Sequence, residues 1–253
     1  MEAVVITGAS AGIGEEFARQ LAVEGKNLVL VARRLARLET LAEVLREQHK
    51  VEVACIASDL ADPAAPEKLV QALADQQIVV TGLINNAGFG DRGQFADLDL
   101  QRQLNMVQVN VTALVDLTWR LVPALKQARD AFVINVASTA AFQAGPNMTI
   151  YYATKAFVLS FSEGLHEELK ESGVAVSALC PGATESEFAS EANMTDTLLF
   201  KAGTMTTEAV VKKSLAGRRR AIVIPGLKNL LLVWMGKLSP RMITRRLAGM
   251  LQA

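Results

Sequence analysis

The chain has 253 residues, of which 51% are hydrophobic and 21% are charged, a composition that excludes an intrinsically disordered protein. Its 26 basic and 26 acidic residues cancel, so the chain lacks the excess positive charge typical of a nucleic-acid-binding protein. Because a chain of this length can form one large α/β domain, we predict a single domain over residues 1–253.

The two cysteines indicate a reduced protein without a metal site. Cys55 and Cys180 each lie in an apolar run and lack the spacing of zinc ligands, so we expect both in the core. The first residues carry no basic leader followed by an apolar stretch, which predicts a cytoplasmic protein.

Short runs rich in valine and isoleucine alternate along the chain with longer runs of helical period. The strands are predicted at residues 3–7, 27–32, 51–57, 82–87, 131–138, 174–180 and 221–224. The helices are predicted at residues 12–24, 35–48, 67–75, 100–126 and 151–171. Because the strands are apolar on both faces, we expect an α/β fold, a parallel sheet covered by helices on both sides.

The first predicted strand runs directly into a glycine-rich turn and then into a helix. Gly8, Gly12 and Gly14 follow the pattern G-x-x-x-G-x-G, which differs from the common dinucleotide-binding pattern G-x-G-x-x-G. Backbone N–H groups and the helix N-terminus can face a pyrophosphate there, although a tight strand-to-helix turn also requires glycines. The position after the first strand favours nucleotide binding.

Two arginines follow the second predicted strand. NAD-binding proteins commonly carry an acidic residue at this place, whereas this chain has Arg33 and Arg34. A guanidinium suits the 2′-phosphate of NADP in charge and in geometry. The pair therefore favours NADP over NAD, and the alternative is two solvated arginines at the start of a helix.

The segment 181–205 is polar and lacks a regular period. It follows a predicted strand, at the edge where open parallel sheets bind their ligands. We predict a substrate loop at about residues 183–205 that acts as a mobile lid, and the alternative is an ordinary long loop with a short helix.

The C-terminal segment, residues 227–253, is apolar and basic. From residue 212 onwards the chain has ten basic residues and no acidic one. Residues 227–238 form an apolar run too short to span a bilayer, and residues 241–251 predict a basic amphipathic helix. The segment can pack over the site, pair with another subunit or lie on an anionic membrane, and packing on the body of the protein is favoured.

Four motifs give the chain a resemblance to the short-chain dehydrogenase/reductase family over nearly its whole length. They are residues 7–14 (TGASAGIG), residues 85–88 (NNAG), Ser138 and residues 151–155 (YYATK). Each lies at the end of a predicted strand or the start of a predicted helix, where such folds carry their sites. The resemblance implies a Rossmann-type doubly wound sheet of seven parallel strands in the order 3-2-1-4-5-6-7.

The resemblance also implies the residues of an NADP(H) site and of a catalytic centre. The catalytic residues would be Asn110, Ser138, Tyr151 and Lys155. The cofactor-binding residues would be Gly8, Ser10, Gly12, Ile13, Gly14, Arg33, Arg34, Asp59, Leu60, Asn86, Ala87, Gly88, Tyr151, Lys155, Pro181, Gly182 and Thr184. Family members commonly pair through the two long helices, here 100–126 and 151–171, so a homodimer or homotetramer is implied.

The chemistry of these residues is consistent with carbonyl reduction. Tyr151 would donate the proton, Ser138 would bind the carbonyl oxygen, and Lys155 would lower the pKa of the tyrosine from its usual value of about 10. Tyr151 and Lys155 are four residues apart, so they share one face of a helix. By resemblance, Lys155 would also bind the nicotinamide ribose, and Asn110 would hold a water that returns the proton through the lysine.

The sequence therefore predicts an NADP(H)-dependent oxidoreductase acting on CH–OH groups, which reduces a ketone or aldehyde or oxidises the alcohol. The alternative is a catalytically idle NADP-binding sensor or scaffold protein. Residues 142–148 and 184–200 are expected to line the substrate pocket, with or without the C-terminal segment. Their apolar character indicates a hydrophobic substrate, whose identity the sequence leaves open.

Overall fold

The computed structural model describes residues 1–194, 197 and 203–252, with residues 251 and 252 described as backbone alone. Its seven strands form one parallel sheet in the order β3-β2-β1-β4-β5-β6-β7. The strands are β1 (Glu2–Thr7), β2 (Leu28–Ala32), β3 (Val53–Ala57), β4 (Val79–Asn85), β5 (Phe132–Val136), β6 (Ala175–Leu179) and β7 (Ile222–Val223). The predicted fold class, strand number and strand order are confirmed.

Helices lie between the strands and after the last one. Those described are α1 (Gly12–Val23), α2 (Leu35–His49), α3 (Ala65–Asp75), α4 (Leu100–Val107), α5 (Ala113–Leu125), α6 (Thr149–Leu169), α7 (Phe188–Glu191), α8 (Thr207–Gly217), α9 (Leu227–Leu238) and α10 (Arg241–Gln252). A π-helical turn (Gln108–Thr112) joins α4 to α5, and a 3-10 turn (Thr139–Phe142) follows β5. All predicted helices are confirmed to within two residues at each end, whereas α7, α8 and α9 were not predicted.

Alternate residues of each strand point to opposite faces of the sheet, and both faces are buried. On β1, Val4 and Ile6 belong to a core that also contains Phe17 of α1. Val5 belongs to a second core on the opposite face, which also contains Leu117 of α5. This arrangement confirms the expectation that helices cover the sheet on both sides.

The observed limits of β4 correct the predicted strand 82–87. The strand runs from Val79 to Asn85, so Gly82 lies inside it. A Cβ atom at Gly82 would approach the Phe132 ring to 2.8 Å, which explains a glycine in mid-strand. Residues 86–88 lie beyond the strand, where they are free to contact the glycine-rich turn.

The lid loop predicted at residues 183–205 is described in part. Thr184 and Met205 form a parallel bridge at its base, and the backbone N–H of Glu185 donates to the Met205 carbonyl at 3.0 Å. The short helix α7 lies within it. Residues 195–196 and 198–202 of the predicted loop lie outside the described residues.

Helices α9 and α10 form the end of the chain. Val233 of α9 and Ala248 of α10 are buried against the body, in agreement with the favoured packing of this segment. Many of their other apolar side chains are exposed. In the part of the chain that the structure describes, no helix has both the length and the hydropathy needed to cross a membrane.

Candidate active site

A cavity of about 1070 Å³ opens at the carboxyl ends of the strands. It extends from Asp59 and Leu60, just after β3, past Tyr151 on α6 to Leu247 on α10. The strand order reverses direction between β1 and β4, and open α/β sheets bind their ligands at such a point. Of the predicted site residues, Gly14 and Asn110 do not line this cavity, and all the others do.

The glycine-rich turn between β1 and α1 is shaped for an anionic ligand. Gly8 and Gly12 have φ angles of +65° and +58°, which other residues rarely adopt. A Cβ atom at Gly14 would lie 2.3 Å from the carbonyl oxygen of Gly8, so the helix can start close to the strand because this residue is a glycine. The residue before α1 is Ala11, which offers no side-chain cap to the first N–H groups of the helix. These groups suit a pyrophosphate, so the turn fits a dinucleotide.

The loop after β4 holds this turn in place. The amide nitrogen of Asn86 donates to the carbonyl oxygens of Thr7 and Gly8 at 3.0 and 3.1 Å. The Thr7 hydroxyl accepts hydrogen bonds from the backbone of Asn86 and Ala87, both at 3.0 Å. Two of the four sequence motifs are therefore in direct contact.

The arginines after β2 lie at the edge of the cavity. Arg34 donates to the Ser10 hydroxyl at 3.2 Å and to the Glu187 carboxylate at 3.0 Å, while Arg33 is exposed beside it. Arg37, one turn further along α2, forms a second ion pair with Glu187 at 2.7 Å. The hydrogen bonds from Arg37 and Arg34 hold the pKa of Glu187 below its usual range. No local motif marks Arg37 or Glu187 as a site residue.

Ser138, Tyr151 and Lys155 come together at the catalytic end of the cavity. Ser138 follows β5, its side chain is hydrogen-bonded to that of Tyr151, and it also caps the 3-10 turn by accepting from the N–H of Ala140 at 3.1 Å. The Tyr151 ring packs against Phe188 of α7, with ring centroids 5.4 Å apart. The predicted trio therefore forms one cluster, in which Tyr151 and Lys155 are buried and Ser138 is half-buried.

Burial shifts the pKa values of Tyr151 and Lys155 in opposite directions. Burial raises the pKa of the Tyr151 phenol well above its usual value, a rise that its hydrogen bond with Ser138 offsets in part. Lys155 Nζ lies 5.8 Å from the centre of the Tyr151 ring and donates to the carbonyl oxygen of Val136 at 2.7 Å. Burial lowers the pKa of Lys155 to about 8. Burial is the largest influence on the Tyr151 pKa in this arrangement, and the lowering expected from Lys155 together with the positively charged nicotinamide stays a prediction.

Asn110 lies in the π-helical turn between α4 and α5. Its amide nitrogen donates to the Phe89 carbonyl at 3.0 Å and to Thr154 at 3.1 Å, and its oxygen accepts from the N–H of Phe89 at 3.1 Å. A Cβ atom at Gly88 would come within 2.9 Å of the Asn110 oxygen and 3.5 Å of Lys155 Nζ. Asn110 thus joins the loop after β4 to the helix that carries Tyr151 and Lys155.

The remaining wall of the cavity comes from the lid loop and the C-terminal segment. Gly182 packs closely on Asn229 of α9, and the predicted residues Pro181 and Thr184 lie beside it. Of the predicted stretch 142–148, Phe142 and Gln143 reach the cavity. The large apolar residues of the lining, which we call the distal wall, are Phe89, Phe142, Phe188, Met194, Leu232, Val233, Met235, Leu247 and Ala248. The C-terminal segment is therefore part of the cavity, the first of the alternatives left open by its sequence.

The chain matches the family model of the short chain dehydrogenases over residues 2–197. It belongs to the short-chain dehydrogenase family. A sulfoacetaldehyde reductase from Chromohalobacter salexigens is 40% identical over 189 residues, which are 74% of each chain. A solved short-chain dehydrogenase from Sphingobium yanoikuyae in complex with NADPH is 34% identical, with a TM-score of 0.82 over 94% of this chain and 97% of the other.

A structure of a 7β-hydroxysteroid dehydrogenase is 26% identical, with a TM-score of 0.87 over 98% of this chain and 96% of the other. The protein is thus an oxidoreductase of the short-chain dehydrogenase type. Helices α8, α9 and α10 lie outside the residues that match the family model.

Proposed function

We propose that the protein is an NADP(H)-dependent reductase of ketones or aldehydes in which Tyr151 donates the proton. The observation that carries the proposal is the cluster of Ser138, Tyr151 and Lys155 in a cavity that begins with a phosphate-binding turn. Reduction of a carbonyl places negative charge on oxygen, and a hydrogen-bond donor beside that oxygen lowers the barrier.

The protonation state of Tyr151 suits the reduction step. A phenol whose pKa is raised stays protonated at neutral pH, so Tyr151 is ready to donate its proton to the carbonyl oxygen. Ser138, already hydrogen-bonded to Tyr151, would bind the same oxygen and orient it. The reduced nicotinamide would supply the hydride when bound. Lys155, which remains largely cationic below its pKa of about 8, would stabilise the tyrosinate left behind.

The predicted role of Asn110 in returning the proton stays a prediction. Its amide makes hydrogen bonds to Phe89 and Thr154, so we infer that it also positions α6 relative to the loop after β4. The arginines support NADP(H) over NAD(H), because no carboxylate follows β2 and Arg33, Arg34 and Arg37 lie at that edge.

For the substrate we propose a bulky, neutral, apolar carbonyl compound. The distal wall of the cavity is formed by aromatic and aliphatic side chains from the lid loop and the C-terminal segment. Arg102, a cation in this part of the cavity, is already paired with Asp91 at 3.2 Å and stacks over the Phe89 ring. The substrate named for the Chromohalobacter salexigens relative is a sulfonated aldehyde. Its sulfonate would meet, at Arg102, a cation that is already paired with a carboxylate.

We also infer a homo-oligomer that assembles through the long helices. Leu100, Leu104, Trp119 and Phe157 are exposed on α4, α5 and α6, and a cluster of large apolar side chains in contact with water is typical of an interface. Sedimentation velocity of the protein with Trp119→Lys, compared with wild type, tests this assignment. A monomer in both proteins would refute it.

The function is tested by titrating the purified protein with NADPH and NADH and then adding a panel of carbonyl compounds. The panel should contain bulky neutral ketones, small aldehydes and sulfoacetaldehyde, and consumption of NADPH is the readout. We expect NADPH to bind more tightly than NADH and a bulky ketone to be reduced fastest. Failure to bind either nucleotide would reject the cofactor, and binding without turnover would favour the idle sensor.

A further inference from the structure

Glu187 of the lid loop forms two ion pairs with the start of α2. One of its carboxylate oxygens lies 3.0 Å from Arg34 Nη2, and the other lies 2.7 Å from Arg37 Nη1. The pairs join residues 150 and 153 positions apart in the chain, so they fasten the lid loop to the nucleotide-binding end of the sheet. All three side chains are about half exposed, so a solute can compete for them.

The same arginines lie where a 2′-phosphate would be bound. Arg34 also donates to Ser10 of the glycine-rich turn, at 3.2 Å, so its guanidinium lies between that turn and the start of α2. The carboxylate of Glu187 supplies negative charge to this place from within the protein. A phosphate dianion offers more charge and more acceptor oxygens to the same two guanidinium groups.

We propose that Glu187 is an internal competitor of the 2′-phosphate and thereby sets the affinity of the enzyme for NADP(H). This inference rests on the proposed use of NADP(H). The carboxylate must leave Arg34 and Arg37 before a 2′-phosphate can pair with both of them. A cofactor without this phosphate leaves the ion pairs intact, so the cost of breaking them falls on NADP(H) alone.

The position of Glu187 connects this exchange with the catalytic end of the cavity. The preceding residue, Ser186, lies against the glycine-rich turn, since a Cβ atom at Gly12 would come within 3.1 Å of it. The following residue, Phe188, packs on the ring of Tyr151. Release of Glu187 would therefore free a stretch of the lid loop that touches both the phosphate-binding turn and the proton donor.

The test compares two nucleotides that differ by the 2′-phosphate alone. Binding of adenosine 2′,5′-bisphosphate and of adenosine 5′-monophosphate is measured by calorimetry for wild type and for Glu187→Gln. We expect the substitution to tighten binding of the bisphosphate by about three- to tenfold, the effect of removing two exposed ion pairs, and to leave the monophosphate unchanged. Glu185→Gln is the matched control, because Glu185 lies on the same loop but bonds Thr204 instead of the arginines.

Each result has a distinct meaning. Equal or weaker binding of the bisphosphate by Glu187→Gln, with the wild-type preference for it intact, would overturn the role of Glu187 and leave the NADP(H) proposal standing. A wild type that binds both nucleotides equally would reject the NADP(H) proposal itself. Tighter binding of the monophosphate by Glu187→Gln, or of the bisphosphate by Glu185→Gln, would overturn the proposal that Glu187 competes specifically with the 2′-phosphate.

A second observation, independent of the first, concerns the outer face of α9. Leu227, Leu231, Trp234 and Leu238 recur every three or four residues and so lie on one face of the helix. They are 86%, 61%, 57% and 82% exposed, while Val233 on the opposite face is buried. We call these four residues the α9 stripe.

The charged residues of α9 and α10 are all positive. Lys237, Arg241, Arg245 and Arg246 are exposed, and no acidic residue follows position 211. The three arginines make no ion pair with any residue that the structure describes. A helix with leucines and a tryptophan on one face and unneutralised cations beside it matches the surface of a bilayer that contains anionic lipids.

We infer that α9 and α10 bind the enzyme to an anionic membrane surface. The charge favours a membrane over a second copy of the same helix. Two copies would bring cations together, whereas anionic headgroups neutralise them. The inner face of the same helices lines the cavity, so an apolar substrate dissolved in the bilayer would lie close to the site.

Trp234 gives the membrane proposal a direct readout. In the Trp119→Phe background Trp234 is the remaining tryptophan, and its emission is followed on addition of phosphatidylglycerol vesicles or of phosphatidylcholine vesicles. We expect a blue shift and co-sedimentation with phosphatidylglycerol alone, both lost in Leu231→Ser/Leu238→Ser. Val23→Ser, which removes an equally exposed apolar side chain from α1, should bind like the parent protein.

Two outcomes would overturn this second proposal. One is the absence of any response to phosphatidylglycerol vesicles. The other is a shift of Leu231→Ser/Leu238→Ser to a smaller oligomer in sedimentation without lipid, which would show that a second copy of the chain covers the α9 stripe.

Discussion

The catalytic end of the cavity and its distal end are built in different ways. Ser138, Tyr151 and Lys155 follow β5 or lie on α6, are largely buried, and have hydrogen-bond partners within the protein. The distal wall comes from the lid loop, α9 and α10, whose apolar side chains are often exposed and whose helices lie outside the family match. Under the proposed function, separate parts of the chain would determine the reaction and the substrate, and substitutions should affect them separately.

The largest expected effect is at the proton donor. Tyr151→Phe should lower kcat by about 10²- to 10⁴-fold, because general acid catalysis contributes that much. The dissociation constant of NADPH, measured by fluorescence titration, should stay nearly unchanged. Tyr152→Phe removes a hydroxyl group one residue along α6 and should retain most of the activity. Equal losses in both variants would contradict the assignment of Tyr151.

The nucleotide end should respond through cofactor preference. Arg34→Ala/Arg37→Ala should weaken NADPH binding by about tenfold to a hundredfold, since one hydrogen bond to a charged group contributes about 1.5–3 kcal/mol and solvent exposure reduces the sum of two. NADH binding should change little, because NADH lacks the 2′-phosphate. Dissociation constants for both nucleotides check this, and an equal loss for both would assign the arginines a structural role.

The pH dependence of reduction tests the state of Lys155. Its pKa lies near 8, below the usual 10.5 of lysine, so the ammonium group loses its proton as the pH rises through about 8. If the cation stabilises the tyrosinate, kcat/KM for reduction should fall about tenfold per pH unit above that value. A profile that stays flat to pH 10 would show that the charge of Lys155 is dispensable.

The smallest effect is expected at the distal wall. Leu247 of α10 lines the cavity and is 50% exposed, whereas Met250 is 58% exposed and does not line it. Leu247→Ser should raise KM for a bulky apolar ketone by about three- to tenfold and leave a small aldehyde unaffected, since lost apolar contacts contribute about 1–3 kcal/mol. Met250→Ser should leave both KM values unchanged. A change in kcat alone would mean that the two ends of the cavity are coupled.

Much of the catalytic end could be predicted because its residues lie in short motifs. The glycine-rich turn, the 85–88 motif and the pair Tyr151 and Lys155 each lie within a few consecutive residues, at the ends of strands with clear apolar patterns. Strand order followed from the family resemblance. These features depend on local chemistry, which a sequence displays directly.

Other features depend on contacts between distant parts of the chain. The ion pair between Arg37 and Glu187 spans 150 positions, and no local pattern marks either residue as its partner. The rise of the Tyr151 pKa could not be predicted from its motif, because burial causes it and the distant residue Phe188 packs on the tyrosine ring. Helix α9 was not predicted because Gly226, the residue before it, has no capping side chain, and its apolar residues also occur on the exposed face.

The π-helical turn between α4 and α5 has a consequence for engineering. A turn of this kind contains one residue more than a regular helical turn, and its hydrogen bonds are less favourable. Substitutions or a one-residue deletion in residues 108–112 could therefore convert the turn into regular α-helix. Such a change is expected to raise the melting temperature. Such a gain would rotate Asn110 away from Phe89 and Thr154, so thermostability at this position would be obtained at the expense of turnover.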